Sequence, residues 1–416
     1  MKVRKSGIGY IKGKNYMKLS GRDRILCALN HGTPDRVPSC PDISVMIPTK
    51  LSGKAFYDPI DITLAYIRAA RYFGIDGWMF NGSINYKYDD TCKDVTQETK
   101  IIKDTYEVKE YLLIMHTPDG DLTSIVVSPR AVPATVTEKF IKDVKEQYKF
   151  LKYFFPDVTG YDKSGYLKQK EEMQDTGMIC CFIDCPGFQH YLGWMGIEEL
   201  IYAYFDYPEI FEELREKHDK ICVRKMELAA DAGVESILTG GSGSITLQSP
   251  EIFRKLSLPT IKKITKIARD AGILTGVHSC GREYDLVKMC AEETDLDYVN
   301  PLEVGPQGDC NLAGIKQQYG NKLALMGNLH TSAVMLRSVE LVRLESLKAI
   351  RDAGEGGGFV LSTGDQCGYN TPYENIFEIV NVAKEFGTYP LDMDKINAEI
   401  KRLEATGAAK SELLIC

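Results

Sequence analysis

Thr275-Gly276-Val277-His278-Ser279-Cys280-Gly281-Arg282 follows on from an apolar run that begins at Gly272-Ile273-Leu274. The run reads as a short buried strand, and it stops where two good metal ligands begin. Alternate side chains of an extended chain share a face, so His278 and Cys280 can point at one spot. A second stretch has the same form: Gly358-Phe359-Val360-Leu361-Ser362-Thr363-Gly364, then Asp365-Gln366-Cys367-Gly368. If both strands belong to one parallel barrel, His278, Cys280 and Cys367 share its C-terminal mouth. Two cysteines and a histidine suit Zn²⁺, and three protein ligands leave the fourth position of a catalytic site open.

Working outward, strand-like runs that lead into loops and helices recur near residues 37, 76, 179, 235, 273, 297, 323 and 359. Eight such units predict an α/β fold, a single (β/α)8 TIM barrel over 18–416, with its chemistry on the loops after the strands. Ser20 is the expected cap of a first helix to Asn30, and Ser249-Pro250 opens a helix expected to run to Ala271. Helices are also expected over 61–73, 138–155 and 208–232. From about Tyr86 to Pro133 the period changes to two, around a turn at Pro118-Asp119-Gly120-Asp121. This predicts a β-hairpin excursion after the second strand.

Composition narrows the class. The chain has 416 residues, 44% apolar and 26% charged, as in an ordinary globular protein. A formal net charge of −7 gives no electrostatic footprint for nucleic acid. No apolar run approaches the roughly 18 residues that span a bilayer. Residues 1–17 are basic without a hydrophobic segment, and read as a loose arm rather than a secretory signal. Twelve cysteines without disulfide spacing, two of them adjacent at Cys180-Cys181, predict reduced thiols in a reducing cytoplasm, that of an anaerobic cell included.

The stretch Arg22-Asp23-Arg24-Ile25-Leu26-Cys27-Ala28-Leu29-Asn30-His31-Gly32-Thr33-Pro34-Asp35-Arg36-Val37-Pro38 resembles the opening signature of the uroporphyrinogen decarboxylase superfamily. Asp297 to Glu303, Ala324 to Leu329 and Thr371 to Asn375 are similar to its recurring blocks. The resemblance runs from about Lys18 to near the end, and it implies a TIM barrel. The decarboxylase branch carries an arginine-rich loop that is missing here after Pro38. The zinc-dependent, corrinoid-linked methyltransferase branch, of the methylcobamide:coenzyme M type, carries His-x-Cys and a later cysteine, matched by His278, Cys280 and Cys367. The resemblance therefore implies zinc, a corrinoid (methylcobalamin) on a partner protein, and a small methyl donor or thiol acceptor. Assembly as a homodimer is compatible with it.

The chemistry agrees. A zinc-bound thiol is deprotonated at neutral pH, so sulfur can be alkylated without a general base. A methyl group on corrinoid cobalt is a matching electrophile, because the cofactor carries the hard step. In the reverse sense, the metal acts as a Lewis acid on a methylated donor. Glu303 and Asp184 each follow a strand and are candidates to orient substrate; the competing reading is loop solvation. Asp365, two residues before Cys367, is a candidate to support the ligands. Gly240-Gly241-Ser242-Gly243-Ser244 lacks the lysine of a P-loop. Gly240, Gly241 and Ser242 are expected to let a cofactor approach closely at the mouth. His190 and His330 are weaker candidates. His-x-Cys alone also describes a core histidine beside a buried thiol. A metal-free decarboxylase and a non-catalytic metal- or thiol-binding barrel therefore stay open.

Overall fold

The computed structural model describes residues 18–408, so the basic arm over 1–17 lies outside the described residues. Seven parallel strands form one curled sheet in chain order: Gly77–Gly82, Gly177–Phe182, Ser236–Gly240, Leu274–His278, Tyr298–Asn300, Ala324–Leu329 and Phe359–Thr363. Helices fill the connections, as parallel pairing requires. This is a TIM-like α/β arrangement.

The expected first strand near residue 37 is not a regular strand. Ser39 makes only an isolated bridge with Leu361. Pro38 and Pro41 have no N–H to give a ladder, and the Ser39 N–H turns to the Asp76 carboxylate at 2.9 Å. The segment still joins the two edges of the sheet. Cys40 N–H donates to Leu361 O at 2.8 Å, Leu361 N–H to Pro38 O at 2.9 Å, and Asp76 N–H to Ser39 O at 2.9 Å.

Alternation along each strand separates two cores. Ile179, Ile237, Val277, Val299, Leu325 and Leu361 face the surrounding helices. Trp78, Met178, Cys180, Leu238, Leu274, Tyr298, Met326 and Val360 cluster on the inner face, packed with Ile25 and Leu29. Those two residues belong to the helix Gly21–Leu29, whose cap Ser20 accepts the Asp23 N–H as expected. The same helix carries Arg24, buried between Asp76 (Nη1 to Oδ1, 2.6 Å) and Asp35 (Nε to Oδ1, 2.7 Å). The start of the sheet is thus held by charge as well as by apolar packing.

Between the first two sheet strands the chain builds more than one hairpin. Asn85–Tyr88 pairs with Val158–Asp162, and Thr96–Asp104, Val108–Thr117, Gly120–Pro129 and Thr135–Glu138 form a four-stranded antiparallel sheet. The helix expected over 138–155 is instead a bend followed by a 3-10 turn at Tyr148–Phe154. Its backbone is drawn off by side chains: Lys142 and Asp143 N–H donate to Gln147, and Val144 N–H to Glu199. Phe150, Tyr153 and Phe155 join a separate core with Tyr191, Trp194 and Phe211. The helix from Pro250 breaks at Ser257 into Pro250–Leu256 and Leu258–Ala271, because Pro259 has no N–H for the preceding turn. Among the described residues, no helix is long and apolar enough to cross a membrane.

Candidate metal centre at the strand ends

The alternation that turns Leu274 and Gly276 inward does the same for His278, the last residue of its strand. His278 pairs in register with Gly240 on one side and Asn300 on the other. Beyond it the chain leaves the sheet, with Ser279 N–H donating to Asn300 O at 3.0 Å. This brings Cys280 Sγ to 3.1 Å from His278 Nε2. Gly281 then turns at φ +94°, where a Cβ would run into the Thr246 side chain. Its N–H is held by Glu303 Oε2.

His278, Cys280 and Asp365 bring one ligand atom each to within 4.8 Å of one another. Asp365, expected to support the ligands, therefore stands among them. Cys367 is not in this group. It is fully buried, its N–H donates to Asp42 O at 2.7 Å, and its thiol meets the Thr363 hydroxyl beside Asp42 and Asp365. The candidate ligands at this geometry are His278, Cys280 and Asp365, with Cys367 adjoining on the same loop. Sequence spacing placed the loop, and the Asp42 carbonyl holds it at the Cys367 N–H.

The donors fit a zinc ion. In tetrahedral zinc, nitrogen and sulfur ligands sit about 3.5 Å apart, given bonds of about 2.0 and 2.3 Å. The observed 3.1 Å needs an opening of only a few tenths of an ångström. Asn300 lies against His278, and its buried Oδ1 has no hydrogen-bond partner. A proton on His278 Nδ1 would satisfy that oxygen and leave Nε2 free to ligate, the usual support of a metal-bound histidine. Without a cation, burial holds the His278 imidazole below its ordinary range, and burial with Asp365 pushes the Cys280 thiol up. The imidazole and the thiol are thus both neutral until a cation reverses the balance.

A second group, Asp184, His218 and Cys222, has the same spacing but not the same chemistry. Gly187 N–H donates to His218 Nδ1 at 3.3 Å, so the proton of the neutral ring sits on Nε2, the atom a metal would need. The Lys225 ammonium already occupies the Asp184 carboxylate at 2.8 Å. Asp184 Oδ1 is taken by His190 Nδ1 at 3.0 Å and by the Cys185 N–H at 2.8 Å. These partners hold Asp184 well below the usual carboxylate range despite its burial. Asp184 thus ties the second strand's loop to the helix Pro208–Ala232.

The remaining candidates are placed as follows. Ser242 Oγ lies 3.4 Å from Cys280 Sγ, and Gly241 N–H is used within its own turn by Ser244 Oγ at 3.0 Å. Gln189 Nε2 donates to Ser242 O at 2.6 Å. Gly240 at φ +82° approaches His278 O too closely for a Cβ. The loop braces His278 and Cys280 from the side. Glu303 is half-buried, raised by burial, and lies in the field of Asp365. His330 is held by Gln307 at 2.6 Å on another loop. Sequence reading missed Asp42, Asn300 and Phe182. The signal for each was present: they continue the inner-face alternation of Cys40, Tyr298 and Cys180.

Residues 189–386 match the model of the uroporphyrinogen decarboxylase (URO-D) family. The chain is 22% identical over 195 residues to the uroporphyrinogen decarboxylase of Coxiella burnetii, covering 44% of this chain and 49% of that one. With that of Anaeromyxobacter dehalogenans the figures are 23% over 200 residues, 47% and 53%. The chain thus spans about half the length of the curated relatives it matches. A methyltransferase from Methanosarcina mazei shares the fold, with TM-score 0.60 over 88% of this chain and 99% of that one at 15% identity.

Proposed function

We propose that this barrel, with its uroporphyrinogen decarboxylase family domain, is a zinc-dependent methyltransferase that moves a methyl group between a corrinoid, carried by a partner protein, and a small substrate. The observation that carries the reading is the convergence of His278, Cys280 and Asp365 within 4.8 Å at the strand ends. His278 and Cys280, with Asp365 or the adjoining Cys367, would hold the ion. When bound, zinc supplies a Lewis acid that keeps a thiol ionised at neutral pH. The chain's own part is to fix the ligand angles through Gly281, Ser242 and Asn300. Buried surroundings also strengthen every charge interaction there.

A decarboxylase needs cations for its substrate's carboxylates. The groups around Cys280 are the acidic side chains Asp365 and Glu283 instead, which favours the methyltransferase reading. Purified protein is expected to carry about one zinc per chain by elemental analysis and to demethylate free methylcobalamin in the presence of a thiol, followed by the cobalamin spectrum. Cys280→Ala should lose both while keeping its circular dichroism. A metal-free protein with full turnover, or a Cys280→Ala protein that keeps zinc and activity, overturns the proposal.

A further inference from the structure

The charged groups that act most strongly on the His278–Cys280 centre are acidic. Asp42 is buried, its carboxylate bonded to Ser44 Oγ, and Asp365 is the charge that acts on it. Asp365 is also the charge acting on Glu303, and Asp42 and Asp365 both act on Cys367. No lysine or arginine is among the groups acting most strongly on Asp42, Cys280, Glu303 or Cys367. Lys225 is spent on Asp184, and Arg282, next along from Gly281, is exposed.

Two aromatic side chains also occupy inner-face positions near the strand ends. Phe182 continues the inner-face positions of Met178 and Cys180, yet it is 39% exposed. An aromatic ring at an inward strand end that is not covered by protein is available to a ligand. Phe80 stands in the same role on the neighbouring strand, packed on the inner core. An aromatic face at a rim that also carries carboxylates suits a short carbon stem that ends in a cation.

We infer that the methyl acceptor is a thiol that also bears an ammonium group, its sulfur at the His278–Cys280 centre and its ammonium among Asp42, Asp365 and Glu303. The inference rests on the methyltransferase reading and specifies its substrate class. A sulfonate- or carboxylate-bearing thiol would meet carboxylates without a compensating cation. An ammonium offsets the negative charge that two or three anionic ligands and an incoming thiolate build up around a divalent ion. In the transfer, a sulfur lone pair forms the S–C bond. The electron pair of the broken Co–C bond stays on the corrinoid cobalt, which passes from Co(III) to Co(I), and the thiol proton leaves to solvent.

Three two-carbon thiols that differ only in charge test this: 2-aminoethanethiol, 2-mercaptoethanol and 2-mercaptoethanesulfonate. Each is titrated calorimetrically into the zinc-loaded protein and then assayed with free methylcobalamin. The aminothiol is expected to bind and react on the order of tenfold better than the neutral thiol, with the sulfonate worse again by a similar factor. Glu303→Gln, which keeps an acceptor for the Gly281 N–H, should shrink the aminothiol-to-neutral ratio several-fold, and Asp42→Asn likewise. Glu303 is half-exposed, so its variant carries the test should Asp42→Asn fail to fold. Equal rates for the three thiols, or a preference for the sulfonate, overturn the inference and leave the methyltransferase reading standing. If none is bound or methylated, the methyltransferase reading falls and this falls with it.

Discussion

His218 illustrates how far position can override a residue's ordinary chemistry. Burial first, and His190 stacked on it at 3.9 Å second, lower its proton affinity from 6.5 to about 4. The unfolded chain therefore takes up a proton between about pH 6.5 and 4 that the folded one refuses, and stability falls with pH across that window. A shift of this size corresponds to about 3 kcal/mol at most. Asp184, held below its usual range, adds a further loss as the pH drops below about 4. Urea midpoints are thus expected to fall between pH 7 and 4.5 in the native protein, and to fall by clearly less in His218→Asn. Equal falls in the two proteins would place the acid sensitivity elsewhere. At this scale the sequence revealed residue types and little else. Asp184 looked like a group facing the substrate, but the Cys185 N–H, His190 and the distant Lys225 bond its carboxylate. Cys367, read as the third ligand, adjoins Asp365 on a loop that is held by a hydrogen bond from the Cys367 N–H to the Asp42 carbonyl.

Among the elements, the turn after Leu274–His278 does most to shape the centre. Gly281→Ala would force a side chain into Thr246 at a positive φ, a cost on the order of 2 kcal/mol. It should also weaken zinc retention against a chelator, since the residue follows Cys280 directly. A Gly281→Ala protein with native midpoint and native metal release would show that the turn is not a constraint. Elements that satisfy their backbone locally were legible. The helix Pro208–Ala232 appears with the bounds its pattern gives, and the Ser20 and Ser249 caps bond as expected. The strands from Ser236 onward were legible too, because an apolar run of four to six residues ending in Gly, Asn or Asp has few other readings. The failures were at Pro38–Pro41 and over 138–155. There backbone N–H groups are absent or are captured by Asp76, Gln147 and Glu199, partners 35 or more residues away in two of the three cases, and no local period reports a distant acceptor.

For the whole molecule, the site exists only once the ring is closed. Asp42, Phe182, His278, Asn300 and Asp365 span more than three hundred residues of chain and meet because each ends an inner-face position. The four-stranded excursion has a consequence of another kind. Its outer strand, Thr96–Asp104, pairs on one side only among the described residues and is exposed along its entire length. Nine residues of open backbone form a template on which a second molecule can add a strand, and Ile101 and Ile102 lie within it, both more than half bare or nearly so. Glu98, Lys100 and Lys103 are then gatekeepers, whose task is to make such stacking costly. Replacing Lys100 and Lys103 together with valine should leave the melting temperature nearly unchanged and raise light scattering with time and concentration. A double variant that stays monodisperse would mean the strand is protected by its twist rather than by its charge. On this view the protein's solubility is written on a part of the chain remote from its chemistry, and the two can be altered independently.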